Sequence, residues 1–357
     1  MDSNPIKYNV IGLMSGTSLD GLDMAYCTFK KTESGWDYNI DKADTLKYSK
    51  KWNDRLATAH TLSTEDLLKL DADYGKLLGD ELLKFITKYK LKVDFIASHG
   101  HTIFHQPDKG FTYQLGNGNA LHAVTKIPVV YDFRSLDVAC GGEGAPLVPA
   151  GDKFLFGDYD VCLNLGGIAN LSMDIKQKRL AFDICFVNMG LNYLAQKKGK
   201  TYDKGGELSS NGVVNQKMLN ALNKIYSKYK ATRPSLGREI FEKQIKPLLD
   251  KEDISIEDRL RTFTESSAQE IVSSFPKTEI NVLCTGGGAF NSFLISCMLD
   301  KCDDDVSIII PDDDIVKFKE ALVFAFLGVL RERNEVNCLK SVTGASRDSS
   351  GGVKVGF

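Results

Sequence analysis

Two stretches of the chain present small polar residues at the tip of what reads as a β-hairpin. Residues 8–29, YNVIGLMSGTSLDGLDMAYCTF, carry an apolar run into a turn holding Ser15, Gly16, Thr17, Ser18, Asp20 and Gly21, with Asp23 opening the apolar run that leaves it. Such a tip exposes backbone N–H groups and hydroxyls with no large side chain in the way, which is what an anionic oxygen cluster such as a phosphate needs. An ordinary turn has a similar composition, because glycine and serine dominate turns generally. A second copy decides between the two readings. Residues 159–174, YDVCLNLGGIANLSMD, again run strand, small polar turn with Gly166, Gly167 and Asn170, then strand. Two halves that each open on a phosphate-gripping hairpin predict a duplicated domain with a nucleotide between the halves.

Other candidate groups stand at the ends of apolar runs. The stretch RLAFDI at 179–184 puts Asp183 near the second hairpin, where a carboxylate can serve as a general base. VDFIAS at 93–98 reads as a strand buried on both faces, and it delivers His99, Gly100, His101 and Thr102 at its carboxyl end, where ligands of α/β proteins gather. Three of the five histidines, His99, His101 and His105, crowd this loop. No acidic or cysteine residue there has ligand spacing, so a hydrogen-bonding role is expected in place of zinc. PVVYDFR at 128–134 ends in Asp132 and Arg134, and an arginine at a strand end offers a fork for a carboxylate. The alternative is an ion pair of Arg134 with Asp132 or Asp137 that holds the loop. INVLC at 280–284 runs into Thr285, Gly286, Gly287 and Gly288, with a helix starting near Asn291, so backbone can approach a flat ligand at a helix N-terminus.

The elements that must hold these residues alternate between strand and helix. Residues 7–14, 23–30 and 38–48 read as three strands of a meander. Ser63 opens a helix whose stripe of Leu67, Leu70, Tyr74, Leu78, Leu82 and Phe85 continues to about Lys88. Further helices are expected from Asn188 to Lys198, over 213–226 and over 256–273. Glu320 begins EALVFAFLGVL, apolar on nearly all sides and so expected against a sheet, and the tail reads as loop after Ser346. The boundary is expected near 130–150, giving an N-terminal domain 1–140 and a C-terminal domain 141–357.

Composition bounds the function. At 357 residues the chain suits two domains, and 43% hydrophobic with 26% charged residues is globular usage. The net charge of −2 with dispersed Lys and Arg leaves no footprint for nucleic acid. No apolar stretch approaches the ~20 residues that span a bilayer, so a cytoplasmic protein without membrane association is expected. Eight cysteines without a C-x-x-C pair read as small buried hydrophobes kept reduced.

The layout resembles the actin-like, sugar-kinase and heat-shock-chaperone superfamily. Within it GLMSGTSLDGLD, SHGHTIFHQP, DFRSLDVACGGEGAPLVP, NLGGIANLS, TGGGAFN and SVTGAS, in that order over residues 8–346, closely resemble the anhydro-N-acetylmuramic acid kinases. The resemblance implies two ribonuclease H-like (actin-like ATPase) α/β domains with mixed sheets flanked by helices and the active site in the cleft between them. It implies ATP with Mg²⁺, ATP contacts at both hairpin turns, and adenosine against Gly286, Gly287, Gly288 and Asn291. It implies sugar contacts from His99, His101, Asp132, Arg134, Asn188 and Glu320, Arg134 meeting the lactyl carboxylate, and Asp183 as general base. The expected reaction opens the 1,6-anhydro bridge with water and phosphorylates the 6-oxygen to give N-acetylmuramic acid 6-phosphate. A homodimer is compatible with this reading.

The chain departs from the family pattern at particular residues. His101 replaces a usual glutamine, Leu236 replaces a threonine in S-T-G-R-E, and Lys317 and Phe318 replace acidic residues before Glu320. The D-T-G-P-G-N signature reads Asp183-Ile184-Cys185-Phe186-Val187-Asn188. A catalytically silent sugar-binding or ATP-binding protein, or a kinase for another sugar, are the alternatives that this last change raises.

Overall fold

The structure, a computed structural model, describes residues 7–16 and 19–357. The expected phosphate contacts Thr17 and Ser18 lie outside the described residues. The strands are β1 (Lys7–Ser15), β2 (Leu22–Lys31), β3 (Trp36–Leu46), β4 (Phe95–Gln106), β5 (Phe111–Leu115), β6 (Val129–Tyr131), β7 (Val161–Leu165), β8 (Ile168–Ile175), β9 (Lys178–Phe186), β10 (Ile280–Thr285), β11 (Val306–Ile309) and β12 (Val353–Val355). The chain divides into two compact units, Met1–Gly157 with Phe318–Phe357, and Asp158–Lys317.

Each unit is built on one sheet, and the two sheets repeat one plan. In the first, β1, β2 and β3 form an antiparallel meander, and β4 and β6 extend it in parallel from β1. In the second, β7, β8 and β9 form the meander, and β10 and β11 extend it in parallel from β7. A three-strand meander continued by parallel strands, met twice, is the duplicated ribonuclease H-like α/β architecture announced by the two hairpins. The first sheet adds β5 against β4 and β12 against β6, both antiparallel.

Period-two alternation sets the layers of the first unit. Ile11 and Leu13 of β1 point into a core with Leu70, Tyr74, Leu78 and Leu82 of the helix Thr64–Tyr89. Ser63 caps that helix by accepting the N–H of Asp66, as its sequence predicts. On the other face Gly12 lies so close to the helix Asp313–Glu332 that a Cβ there would sit 1.9 Å from the Ala321 carbonyl oxygen. The second unit packs Leu163 and Leu165 of β7 and Val282 of β10 with Leu191, Leu222 and Phe263 from its helices.

Several expectations need correction. The first unit continues through the helix Val148–Leu155, where Gly151 abuts Val323, and it takes back Phe318–Phe357. A single cut at 140 therefore misses both the Gly12–Ala321 packing and the β12 to β6 ladder that tie the C-terminal segment to the first sheet. The tail after Ser346 is accordingly not all loop, and Glu320 lies within a helix that starts at Asp313. The histidine segment is strand: β4 runs on to Gln106 because β5 pairs with it from His101 onward. In contrast β6 stops at Tyr131, and Asp132 turns the chain at φ 55°. Finally, β9 does not end at Asp183, since Ile184, Cys185 and Phe186 are apolar, buried and paired or carried on by the sheet.

Candidate functional site

In the first unit the candidate side chains gather where β1 and β4 run side by side. Ser15, the last residue of β1, is buried and its Oγ lies 2.9 Å from His101 Nδ1 and 2.7 Å from the donating Tyr48 hydroxyl. Its hydroxyl is therefore engaged inside the protein. Burial lowers the His101 pKa to about 4, so the ring is neutral near pH 7. His99, on the same strand, accepts Arg134 Nε–H on its Nε2 at 2.9 Å, which requires a neutral ring with its hydrogen on Nδ1, facing the Gly100 carbonyl at 2.9 Å. Burial first, then the Arg134 charge, hold its pKa well below the ordinary histidine value.

Arg134 also donates Nη1–H to the Gly144 carbonyl at 2.7 Å. Burial brings its pKa down to about 10, against the raising charge of Glu320, and it remains cationic at neutral pH. Neither ion pair considered for it, with Asp132 or with Asp137, forms among the described residues. Asp132 instead accepts the Ser135 hydroxyl at 2.5 Å and its N–H at 3.4 Å, closing the turn into a short helix. Asp137 accepts Gly144 N–H and the Thr343 hydroxyl, both at 2.8 Å.

The remaining first-unit carboxylates respond to one another. Burial raises the Asp23 pKa, a 2.6 Å bond from the Thr45 hydroxyl lowers it, and the neighbouring Asp20 charge raises it again. Glu320 keeps contact with solvent, yet desolvation raises its pKa, with Arg134 opposing and Asp23 adding. Asp23, Arg134 and Glu320 thus share one electrostatic neighbourhood. Gly16 accepts Leu19 N–H at 3.2 Å, and Gly21 sits against the Leu46 carbonyl, where a Cβ would come within 2.5 Å.

In the second unit the hairpin turn and the glycine run meet. The Gly166 carbonyl accepts Asn188 N–H, and the Gly167 carbonyl accepts the N–H groups of Val187 and Met189, so the turn caps the start of the helix Asn188–Gln196. Gly286 adopts φ 81° and lies against Asn164 and Leu165; a Cβ would stand 2.4 Å from Asn164 Oδ1 and 2.9 Å from the Leu165 carbonyl carbon. Only glycine combines that left-handed backbone with that approach. Asn188 donates Nδ2–H to the Leu165 carbonyl at 3.0 Å and borders Gly287 and Gly288. The geometry groups Asn188 with the glycine run, whereas the sequence reading grouped it with the sugar contacts. A hollow of about 50 Å³ joins Asn188, Gly287 and Asn291 to the partly exposed rings of Tyr202 and Phe290. Asn291 Oδ1 itself accepts Leu294 N–H and caps a helix, which leaves its amide nitrogen for other work.

Asp183 pairs across β8 with Asn170, which in turn faces Asn164 on β7. Its Oδ2 accepts Leu236 N–H at 2.8 Å, so the segment ATRPSLGREIFE reaches the carboxylate through backbone, and the Leu-for-Thr replacement does not remove that contact. Burial raises the Asp183 pKa and the Leu236 bond lowers it. A cavity of about 360 Å³ opens beside it, with Tyr229, Lys230, Arg233 and Glu270 in its wall. Sequence reasoning missed Tyr48 and Tyr202, which lie at neither a glycine turn nor a charged strand end, and passed over Asn164 and Phe290 within the motifs NLGGIANLS and TGGGAFN.

The profile described as anhydro-N-acetylmuramic acid kinase matches residues 8–355. The chain belongs to the anhydro-N-acetylmuramic acid kinase family. A relative of that name from Sulfurimonas denitrificans (strain ATCC 33889 / DSM 1251) is 33% identical over 95% of this chain and 97% of the relative. Another from Vibrio parahaemolyticus serotype O3:K6 is 34% identical over 98% and 99%. The apolar run Ile184 to Val187 is buried: these residues are 7%, 0%, 0% and 0% exposed. The core of the second unit holds the stretch between Asp183 and Asn188.

Proposed function

We infer that the protein is an ATP-dependent 1,6-anhydro-N-acetylmuramic acid kinase acting in cell-wall recycling. The observation that carries this is family membership from residue 8 to 355 together with Asp183, a half-buried carboxylate of raised pKa held by the Leu236 N–H. Asp183 takes a proton from water as the water oxygen bonds to the anomeric carbon. The C1–O6 bond of the anhydro bridge breaks, and the freed 6-oxygen bonds to the γ-phosphorus while the bond to ADP breaks. The products are N-acetylmuramic acid 6-phosphate and ADP, with one proton released.

The chain's own groups supply positioning and charge, which is most of what phosphoryl transfer needs. Arg134, cationic and braced by His99 and Gly144, suits a carboxylate such as the lactyl group. Gly286 lets backbone close on a flat base. Asp20 and Asp23 are oxygen donors of the kind a hard divalent cation takes, and the repulsion that raises Asp23 is one that Mg²⁺ carried on ATP would relieve. Use of ATP and an interior sugar fits a cytoplasmic protein, and no described helix is long and apolar enough to cross a membrane. The test is ADP release from purified protein: it should require the anhydro-sugar and fail with N-acetylmuramic acid, which has no bridge to open. ADP release that ignores the sugar would contradict the assignment.

A further inference from the structure

Four polar side chains inside the first unit form one hydrogen-bonded chain that the reaction scheme leaves unused. Tyr74 Oη and Tyr48 Oη are 2.6 Å apart, Tyr48 donates to Ser15 Oγ at 2.7 Å, and Ser15 Oγ lies 2.9 Å from His101 Nδ1. Exposure is 0% for Tyr74, 8% for Tyr48, 1% for Ser15 and 3% for His101, so the chain lies inside the unit. Ser15 and His101 are opposite one another in the parallel ladder of β1 and β4, and Tyr74 comes down on them from the long helix.

Proton counting gives the chain a direction. A buried hydroxyl has one hydrogen to place and costs free energy if it goes unpaired. Tyr48 gives its hydrogen to Ser15, so it accepts from Tyr74. Ser15 accepts from Tyr48, and the acceptor for its own hydrogen among the described residues is His101 Nδ1. A neutral imidazole that accepts on Nδ1 carries its hydrogen on Nε2. His101 Nε2 has no hydrogen-bond partner among the described residues, which leaves it free to donate to a ligand.

We propose that Tyr48 and Tyr74 are positioning residues for the sugar site: acting through Ser15, they hold His101 in its Nε2–H form so that it donates to an oxygen of the bound sugar. The identity of that acceptor rests on the kinase reading above; the proton order of the chain does not. A glutamine at this position would offer an amide N–H with no tautomer to select, so a chain that orients a proton matters only when histidine is present.

Two measurements test this. Long-range ¹H–¹⁵N spectra of the wild type should show His101 protonated on Nε2. Tyr48→Phe keeps the ring and removes the hydroxyl, so Ser15 can accept from Nδ1–H and the Nδ1–H form should appear. With it, KM for the anhydro-sugar should rise about fivefold to tenfold, the loss of one neutral hydrogen bond, while KM for ATP stays unchanged. Tyr74→Phe should act in the same direction and more weakly. In a His101→Gln background Tyr48→Phe should change sugar KM less than twofold, because amide donors need no selection. A wild-type signal for Nδ1–H overturns the proposal, as does a folded Tyr48→Phe variant with unchanged sugar KM, or an equal loss in the glutamine background. A wild type that does not phosphorylate the sugar would defeat the kinase reading alone, and the spectra would still decide the proton order.

Discussion

Replacing Asp183 separates its chemistry from its place in the fold. Asp183→Asn keeps an oxygen to accept Leu236 N–H, now 2.8 Å away, and removes only the proton acceptor. A positioned general base contributes about 10²- to 10⁴-fold, so kcat should fall by that factor, equivalent to about 2.7 to 5.4 kcal/mol of barrier at 1.36 kcal/mol per decade. ATP and sugar should still bind. Stability should move the other way. Burial raises the folded pKa of Asp183, so its contribution favours the fold below the unfolded carboxyl pKa and is lost as pH rises through the folded value. At neutral pH the wild type carries a half-buried charge, and the neutral asparagine should raise Tm. Asp183→Ala should be as inactive but less stable than the asparagine variant by about 1 to 3 kcal/mol, since Leu236 N–H then loses its acceptor. Single-turnover kinetics with calorimetric binding, and denaturant unfolding of both variants, supply the numbers. An asparagine variant with wild-type kcat refutes the role of Asp183, and equal stability of the two variants refutes the reading of the Leu236 bond.

Further substitutions probe the two units separately. Gly286→Ala should lower both stability and ATP affinity, because its φ of 81° and the 2.4 Å approach to Asn164 Oδ1 leave no room for a Cβ; unchanged ATP titration calorimetry on the folded variant would remove this glycine from the nucleotide site. Arg134→Lys should raise sugar KM about tenfold to a hundredfold, as a lysine cannot serve His99, Gly144 and a carboxylate at once, and a substrate lacking the lactyl carboxylate should show a much smaller change. Equal losses on both substrates would mean that Arg134 only braces the turn.

The architecture was legible where local pattern and tertiary context agree. The hairpin at 8–29, its copy at 159–174, the capped helix from Ser63 and the buried run into Gly286 all form as their sequences predict, since each carries its own turn, cap or periodicity. What escaped depends on partners far along the chain. The histidine segment extends as strand because β5 pairs with it, and the tail joins the first sheet because β6 offers an edge to β12. The unit boundary follows from Gly12 meeting Ala321, a contact that a glycine in a strand hints at without naming its partner. The stretch after Asp183 reads as a loop only by comparison with the family signature; its own residues, Ile184, Cys185, Phe186 and Val187, are core residues and behave as such. Of the candidate site, Ser15 meets His101 and His99 meets Arg134 in the first unit, and Asn188 borders Gly287 and Gly288 in the second, whereas Tyr48 and Tyr74 carry apolar patterns and acquire meaning only from the hydroxyls they meet.

The central claim is that water opens the anhydro bridge as ATP phosphorylates the 6-oxygen, with Asp183 as the base that takes the water's proton. Mass spectrometry of the sugar after incubation of the purified protein with ATP, Mg²⁺ and 1,6-anhydro-N-acetylmuramic acid tests it directly. The account predicts a product heavier than the substrate by one phosphoryl group and one water, formed in step with ADP. Unaltered sugar, or a product that gains the phosphoryl group without the water, would contradict it.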